Sequence, residues 1–131
     1  MKITVDTNVL VRSAVRDDRK QAHAADKVLK EASLVAVPLA CLCEFAWVLR
    51  KVYGLGTRDI AAAIRALMAT EKVAMNRPAA EAGLGILEAG GDFADGVIAY
   101  DGAWLGADTF ASFDKKAISL LTAQGHATQQ L

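Results

Sequence analysis

Five carboxylates stand where folding could gather them into one reactive edge: Asp6, Glu44, Asp92, Asp95 and Asp114. Asp6 follows the β-branched run Ile3-Thr4-Val5, which fits a buried strand, and Asp114 follows DTFASF in the same way. Each acid thus falls where an apolar strand stops and a helix begins. Helix capping explains either one alone, because a side-chain oxygen there accepts from the free amides of a first turn. Glu44 is the only carboxylate or base between Glu31 and Arg50. It lies at the margin of an apolar face made by Leu42, Phe45, Ala46 and Leu49, where an ionised acid needs a positive or hydrogen-bonding partner. A bound cation would serve, and so would a nearby base such as Lys51. In GGDFADGVIAY, Asp92 and Asp95 are placed as a helix cap and its first-turn acid, which also makes them a potential ligand pair.

Two strand-end acids, one isolated helical acid and one helix-start pair suggest a carboxylate cluster at a single edge, which repels itself unless cations or protons intervene. Oxygen-only ligands favour Mg²⁺ or Mn²⁺, and such ions bind phosphate oxygens beside a few carboxylates. A metal-held water, made more acidic, can attack a phosphodiester in line. His23 and His126 are too isolated to form a dependable acid-base pair, and no activated Ser or Cys nucleophile is evident.

The rest of the chain must position those acids. Its 131 residues are enough for a single domain with one core. Hydrophobic residues make up 53% and charged ones 23%, which excludes disorder. Fifteen basic residues balance fifteen acidic ones, so the chain has no overall positive field with which to coat nucleic acid, though a local basic groove remains open to it. Cys41 and Cys43 have neither C-x-x-C nor zinc-ligand spacing and read as core thiols of a reducing cytoplasm. No signal peptide is evident, because Asp6 interrupts the only apolar start. The stretch from Ala32 to Leu49 has no Lys, Arg or Asp but is interrupted by Pro38 and Glu44, so no membrane span is expected.

Strands are expected at Lys2 to Val5, Leu34 to Val37, Lys72 to Met75, Asp108 to Phe113 and, weakly, Ala127 to Leu131. Helices are expected from Thr7 to Val15, from Asp17-Asp18 to Ala32, and from Leu39 to Tyr53 with Gly54 as the stop. Thr57 is placed to cap an Ala-rich helix with Ile60, Ile64, Leu67 and Met68 on one side, and Pro78 to open another that gives out at Gly90-Gly91. Phe93, Val97, Tyr100 and Trp104 form the stripe of the next helix, and Lys115 to Ala123 the last. Strands alternating with helices imply a parallel sheet covered on both faces, with ligands at the carboxyl ends of the strands.

In order along the chain, DTNVLVR, CEFAWVLRKVYGL, DFADGVIA and SFDKKA resemble the motifs of a PIN-domain ribonuclease, specifically a VapC-type toxin of a toxin-antitoxin pair. The resemblance spans nearly the whole chain and implies one domain over residues 1–131: a three-layer α/β/α sandwich around a parallel sheet of four to five strands. It implies that Asp6, Glu44, Asp95 and Asp114 form a catalytic Mg²⁺ or Mn²⁺ site, with Asp92 an additional ligand and Asn8 and Ser112 as polar supports. It further implies an RNA substrate, a homodimer, and a VapB-type antitoxin inserting near the acids. Arg12, Arg50, Lys51, Lys115 and Lys116 are candidates to contact RNA phosphates, or else ordinary surface charges. Relatives usually have Thr where this chain has Ser112 and Ala where it has Gly96. The hydroxyl is thereby kept, while methyl packing and helix propensity at position 96 are expected to weaken.

Other classes remain to be weighed. A receiver-like regulatory module would accept a phosphoryl group on an Asp beside an acidic pair and a strand-end Lys, but no acid follows Asp6. A haloacid-dehalogenase phosphatase would want D-x-D, and D-T-N supplies only the first acid. A catalytically silent relative that only binds a partner helix would have no need of the full acid set.

Overall fold

The computed structural model describes residues 1–131, which divide into two compact units, Met1–Asn76 and Arg77–Leu131. In the first, strands β1 (Lys2–Thr4), β2 (Leu34–Ala36) and β3 (Val73–Ala74) pair in that order, all parallel. The register sets Ile3 against Val35 and Val35 against Val73. Between them run α1 (Thr7–Val15), α2 (Arg19–Glu31), α3 (Leu39–Lys51) and α4 (Thr57–Ala69). Parallel strands cannot be joined by tight turns, so the helical crossovers follow from the pairing itself. Leu10, Val35, Leu42, Phe45, Leu49, Ile60 and Ile64 are buried, the inward positions of α1, β2, α3 and α4.

The start and stop signals read from the sequence act at most of these ends. Asp18 caps α2 by accepting from the Gln21 amide at 3.0 Å, Pro38 precedes α3, and Gly54 takes a φ of 67° at its close. Thr57 differs: it is the first residue of α4, not its cap, and its hydroxyl instead accepts from Arg50 Nη2 at 3.1 Å. Pairing across the α1–α2 turn is ionic, with Arg12 held by Asp17 at 2.9 Å and Arg16 by Asp26.

The second unit contains α5 (Arg77–Glu88), α6 (Phe93–Trp104), β4 (Thr109–Ser112), α7 (Lys115–Ala123) and β5 (Ala127–Gln130). β4 and β5 are parallel, with Thr109 opposite Ala127. All five expected strands are present, three pairing in parallel in the first unit and two in the second. α5 and α6 meet backbone to backbone. A methyl at Gly96 would collide with the Ala82 carbonyl and stand 2.8 Å from Gly83 Cα, and one at Gly83 would meet the Phe93 ring at 2.6 Å. This corrects the expectation of weakened packing at position 96: glycine there is what lets the two helices touch.

The α6 stripe also ends earlier than its spacing implies. Phe93 and Val97 are buried, but Trp104 is 76% exposed and donates its indole N–H to the Tyr100 hydroxyl at 2.7 Å. Tertiary packing covers only the first half of this helix.

Candidate functional site

Two groups of acids are set by the same local device. β1 ends at Thr4, Val5 follows, and Asp6 caps α1; β4 ends at Ser112, Phe113 follows, and Asp114 caps α7. In both places a short parallel strand runs into a helix through one residue and an Asp. The capping bonds are formed: the Thr7 amide donates to Asp6 Oδ1 at 2.8 Å, and the Lys116 and Ala117 amides donate to Asp114 Oδ1 at 3.0 and 3.1 Å. In each Asp the cap engages one oxygen and leaves Oδ2 without a bond inside the protein. A cap can thus also be a ligand, since the bond to the amides fixes the carboxylate and leaves the second oxygen unbonded.

Within the first unit, Asp6 has a companion. Glu44 on α3 accepts from the Thr7 hydroxyl at 2.6 Å through Oε1. Glu44, read from the sequence at the margin of the apolar side, is exposed, while Leu42, Phe45, Ala46 and Leu49 on the same helix are buried as the pattern required. Its partner is a hydroxyl, and Lys51 makes no ion pair with it. Thr7, read in the sequence as part of a capping triplet, is 7% exposed and is the only polar side chain buried to that degree. Its hydroxyl also lies 3.7 Å from Cys41 Sγ. Both cysteines are free thiols, and burial pushes each above the ordinary thiol value.

Within the second unit, Asp92, Asp95 and Asp114 form an electrostatic group. Asp95 is half-buried in the first turn of α6, and its carboxyl is raised above the usual carboxylate range, first by burial and then by the negative charges of Asp92 and Asp114. Asp92 occupies the cap position of α6 but its side chain makes no capping bond, which corrects the capping-box reading; only its backbone carbonyl meets the Asp95 amide, at 3.1 Å. Relieved of that duty, Asp92 presents both oxygens. The Ser112 hydroxyl accepts from the Asp114 amide at 2.9 Å. Asn8 is exposed and its side chain makes no bond within the protein.

The candidate phosphate contacts separate into two kinds. Arg12 is spent on Asp17 and the Tyr53 hydroxyl, at 2.9 and 3.3 Å, and its Nε is buried without a partner. Arg50 is half-buried against Thr57. Lys51, Lys115 and Lys116 are exposed, and no side-chain bond holds their ammonium groups.

In neither group do three carboxylate, thiol or imidazole side chains stand together as a finished ion cage. The donor chemistry nonetheless fits a hard divalent cation. Every candidate is a carboxylate, and like charges raise the proton affinity of Asp95, so a cation there would relieve repulsion instead of creating it. A PIN-domain family model matches residues 3–120, from β1 into α7. The chain belongs to the PIN-domain family. No curated protein and no solved structure matches it. PIN domains are generally metal-dependent nucleases, with nucleic acid as substrate. The parallel strands and alternating helices of this PIN chain agree with the three-layer α/β/α fold class. No helix is long and apolar enough to cross a membrane.

Proposed function

We propose that this PIN domain is an endoribonuclease that uses Mg²⁺ or Mn²⁺ held by Asp6, Glu44, Asp95 and Asp114, with Asp92 as a further donor, and that residues 1–131 act as one catalytic domain. The observation that carries the reading is the placement of Asp95: it lies half-buried in the first turn of α6 beside Asp92 and Asp114, where burial first and those two acids second oppose its ionisation, and a bound cation would offset both. That the family match runs continuously through both acid groups supports their joint use. The bound ion supplies Lewis acidity, acidifying a water and offsetting charge on the phosphodiester. The protein's part is to fix the donors. Asp6 and Asp114 offer the oxygen that capping leaves over, Glu44 offers Oε2, and Ser112 holds the turn that carries Asp114. Lys51, Lys115 and Lys116 are free to meet RNA phosphates, whereas Arg12 is already engaged by Asp17 and the Tyr53 hydroxyl.

The order of motifs further supports a VapC-type toxin, dimeric and restrained by a VapB-type antitoxin, acting on cytoplasmic RNA. An adjoining reading frame whose product co-purifies with the chain and suppresses its cleavage of RNA would establish that pairing. Family membership leaves the receiver-like reading without support. For the nuclease itself, Asp6→Asn and Asp95→Asn are expected to abolish metal-dependent RNA cleavage with circular dichroism unchanged. Turnover equal to the parent in either variant refutes the assignment.

A further inference from the structure

Thr7 touches both candidate metal donors of the first unit, Asp6 and Glu44, by two different groups. Its backbone N–H donates to Asp6 Oδ1 at 2.8 Å and its hydroxyl donates to Glu44 Oε1 at 2.6 Å. The second distance is that of a charge-assisted O–H···O⁻ bond, the stronger kind. A hydroxyl has one proton, and the thiol sulfur of Cys41 at 3.7 Å is a weak acceptor, so the proton belongs to Glu44. Burial at the start of α1 keeps the hydroxyl from turning to water, and β-branching stiffens χ1. Glu44 otherwise sits exposed on α3, where a long carboxylate would sample several rotamers. The two anchored oxygens leave Asp6 Oδ2 and Glu44 Oε2 free of bonds within the protein.

We propose that Thr7 is a positioning residue that presets Asp6 and Glu44 as paired donors, holding one oxygen of each so that the other is offered to a divalent cation; this rests on the reading of these acids as metal donors. Capping alone would use only the Thr7 amide and would leave the hydroxyl dispensable. A residue that fixes a ligand's orientation changes metal affinity by about 10- to 100-fold when removed.

The test measures Mn²⁺ affinity of the full chain by electron paramagnetic resonance, without substrate, for the parent, Thr7→Val, Thr7→Ser and Glu44→Gln. Thr7→Val keeps the shape and the amide but loses the hydroxyl; it is expected to bind Mn²⁺ about tenfold more weakly. Thr7→Ser is expected to stay within about twofold of the parent, because the donor is retained. Equal affinity of Thr7→Val and the parent, with Glu44→Gln weakened, overturns the role of Thr7 alone. Equal affinity of Glu44→Gln and the parent overturns the metal reading and this inference with it. Should Thr7→Val fail to fold, the parent itself decides by NMR in mixed H₂O and D₂O. A slowly exchanging Thr7 hydroxyl proton that becomes fast in Glu44→Ala supports the bond, and a fast one in the parent overturns it.

Discussion

Replacing Gly96 by Ala places two opposing effects on one residue. Within a helix, Gly→Ala is worth about 1 kcal/mol of stabilisation through propensity. Against this, the new methyl would overlap the Ala82 carbonyl and stand 2.8 Å from Gly83 Cα. Both obstacles are backbone, so no rotamer change can make room, and α5 must move off α6. Overpacking of this kind costs about 1–3 kcal/mol, and a backbone obstacle belongs at the upper end. The net expectation is destabilisation by about 1–2 kcal/mol, a fall in Tm of roughly 4–8 °C for a chain of this size. Gly102 is the control. It lies on the same helix, and a methyl there meets nothing within 4 Å. Gly102→Ala should therefore gain up to about 1 kcal/mol and melt a few degrees higher. Because Asp95 adjoins Gly96, the first variant should also bind Mn²⁺ more weakly, and the second should not. Thermal melts followed by circular dichroism read the signs directly. A Gly96→Ala chain as stable as the parent would refute the argument that the α5–α6 approach requires glycine.

Other perturbations probe the site and its setting. Chelation should remove RNA cleavage, and Mg²⁺ or Mn²⁺ should restore it where Ca²⁺, with its longer bonds and looser geometry, does so poorly; gel assays of RNA cleavage report this. Ser112→Ala removes the acceptor of the Asp114 amide at 2.9 Å and is expected to cost about 1 kcal/mol and part of the activity, both recovered in Ser112→Thr; melts and initial rates check it. Asp17 and Asp26 titrate below the ordinary carboxylate value, Asp17 chiefly through the Tyr53 hydroxyl and Asp26 chiefly through Arg16. Their folded-state pKa values being the lower, the stability they add is present above about pH 4 and is lost as pH falls through the folded values. The pair Asp17→Asn and Asp26→Asn should flatten the acid limb of a Tm-against-pH curve, by a small amount because both acids are exposed.

The sequence by itself determined the elements and most of their ends. Period-two and period-3.6 patterns are local, and Asp6, Asp18 and Asp114 cap the helices they precede because a capping bond spans only a few residues. The strand-end acids were legible for the same reason. What only the tertiary structure decided involves partners distant along the chain or the closeness of two backbones. Thr7 meets Glu44 from another helix, a bond no spacing rule announces. Arg12 looks like a free basic residue until Asp17 and Tyr53 claim it. Trp104 keeps the period of a buried stripe yet lies beyond the packed half of α6. Gly96 reads as a weak helix former in sequence, and becomes a requirement only when α5 lies against it. Periodicity tells which face a side chain is on; it does not tell how near the neighbouring backbone comes, and that distance sets the sign of the effect.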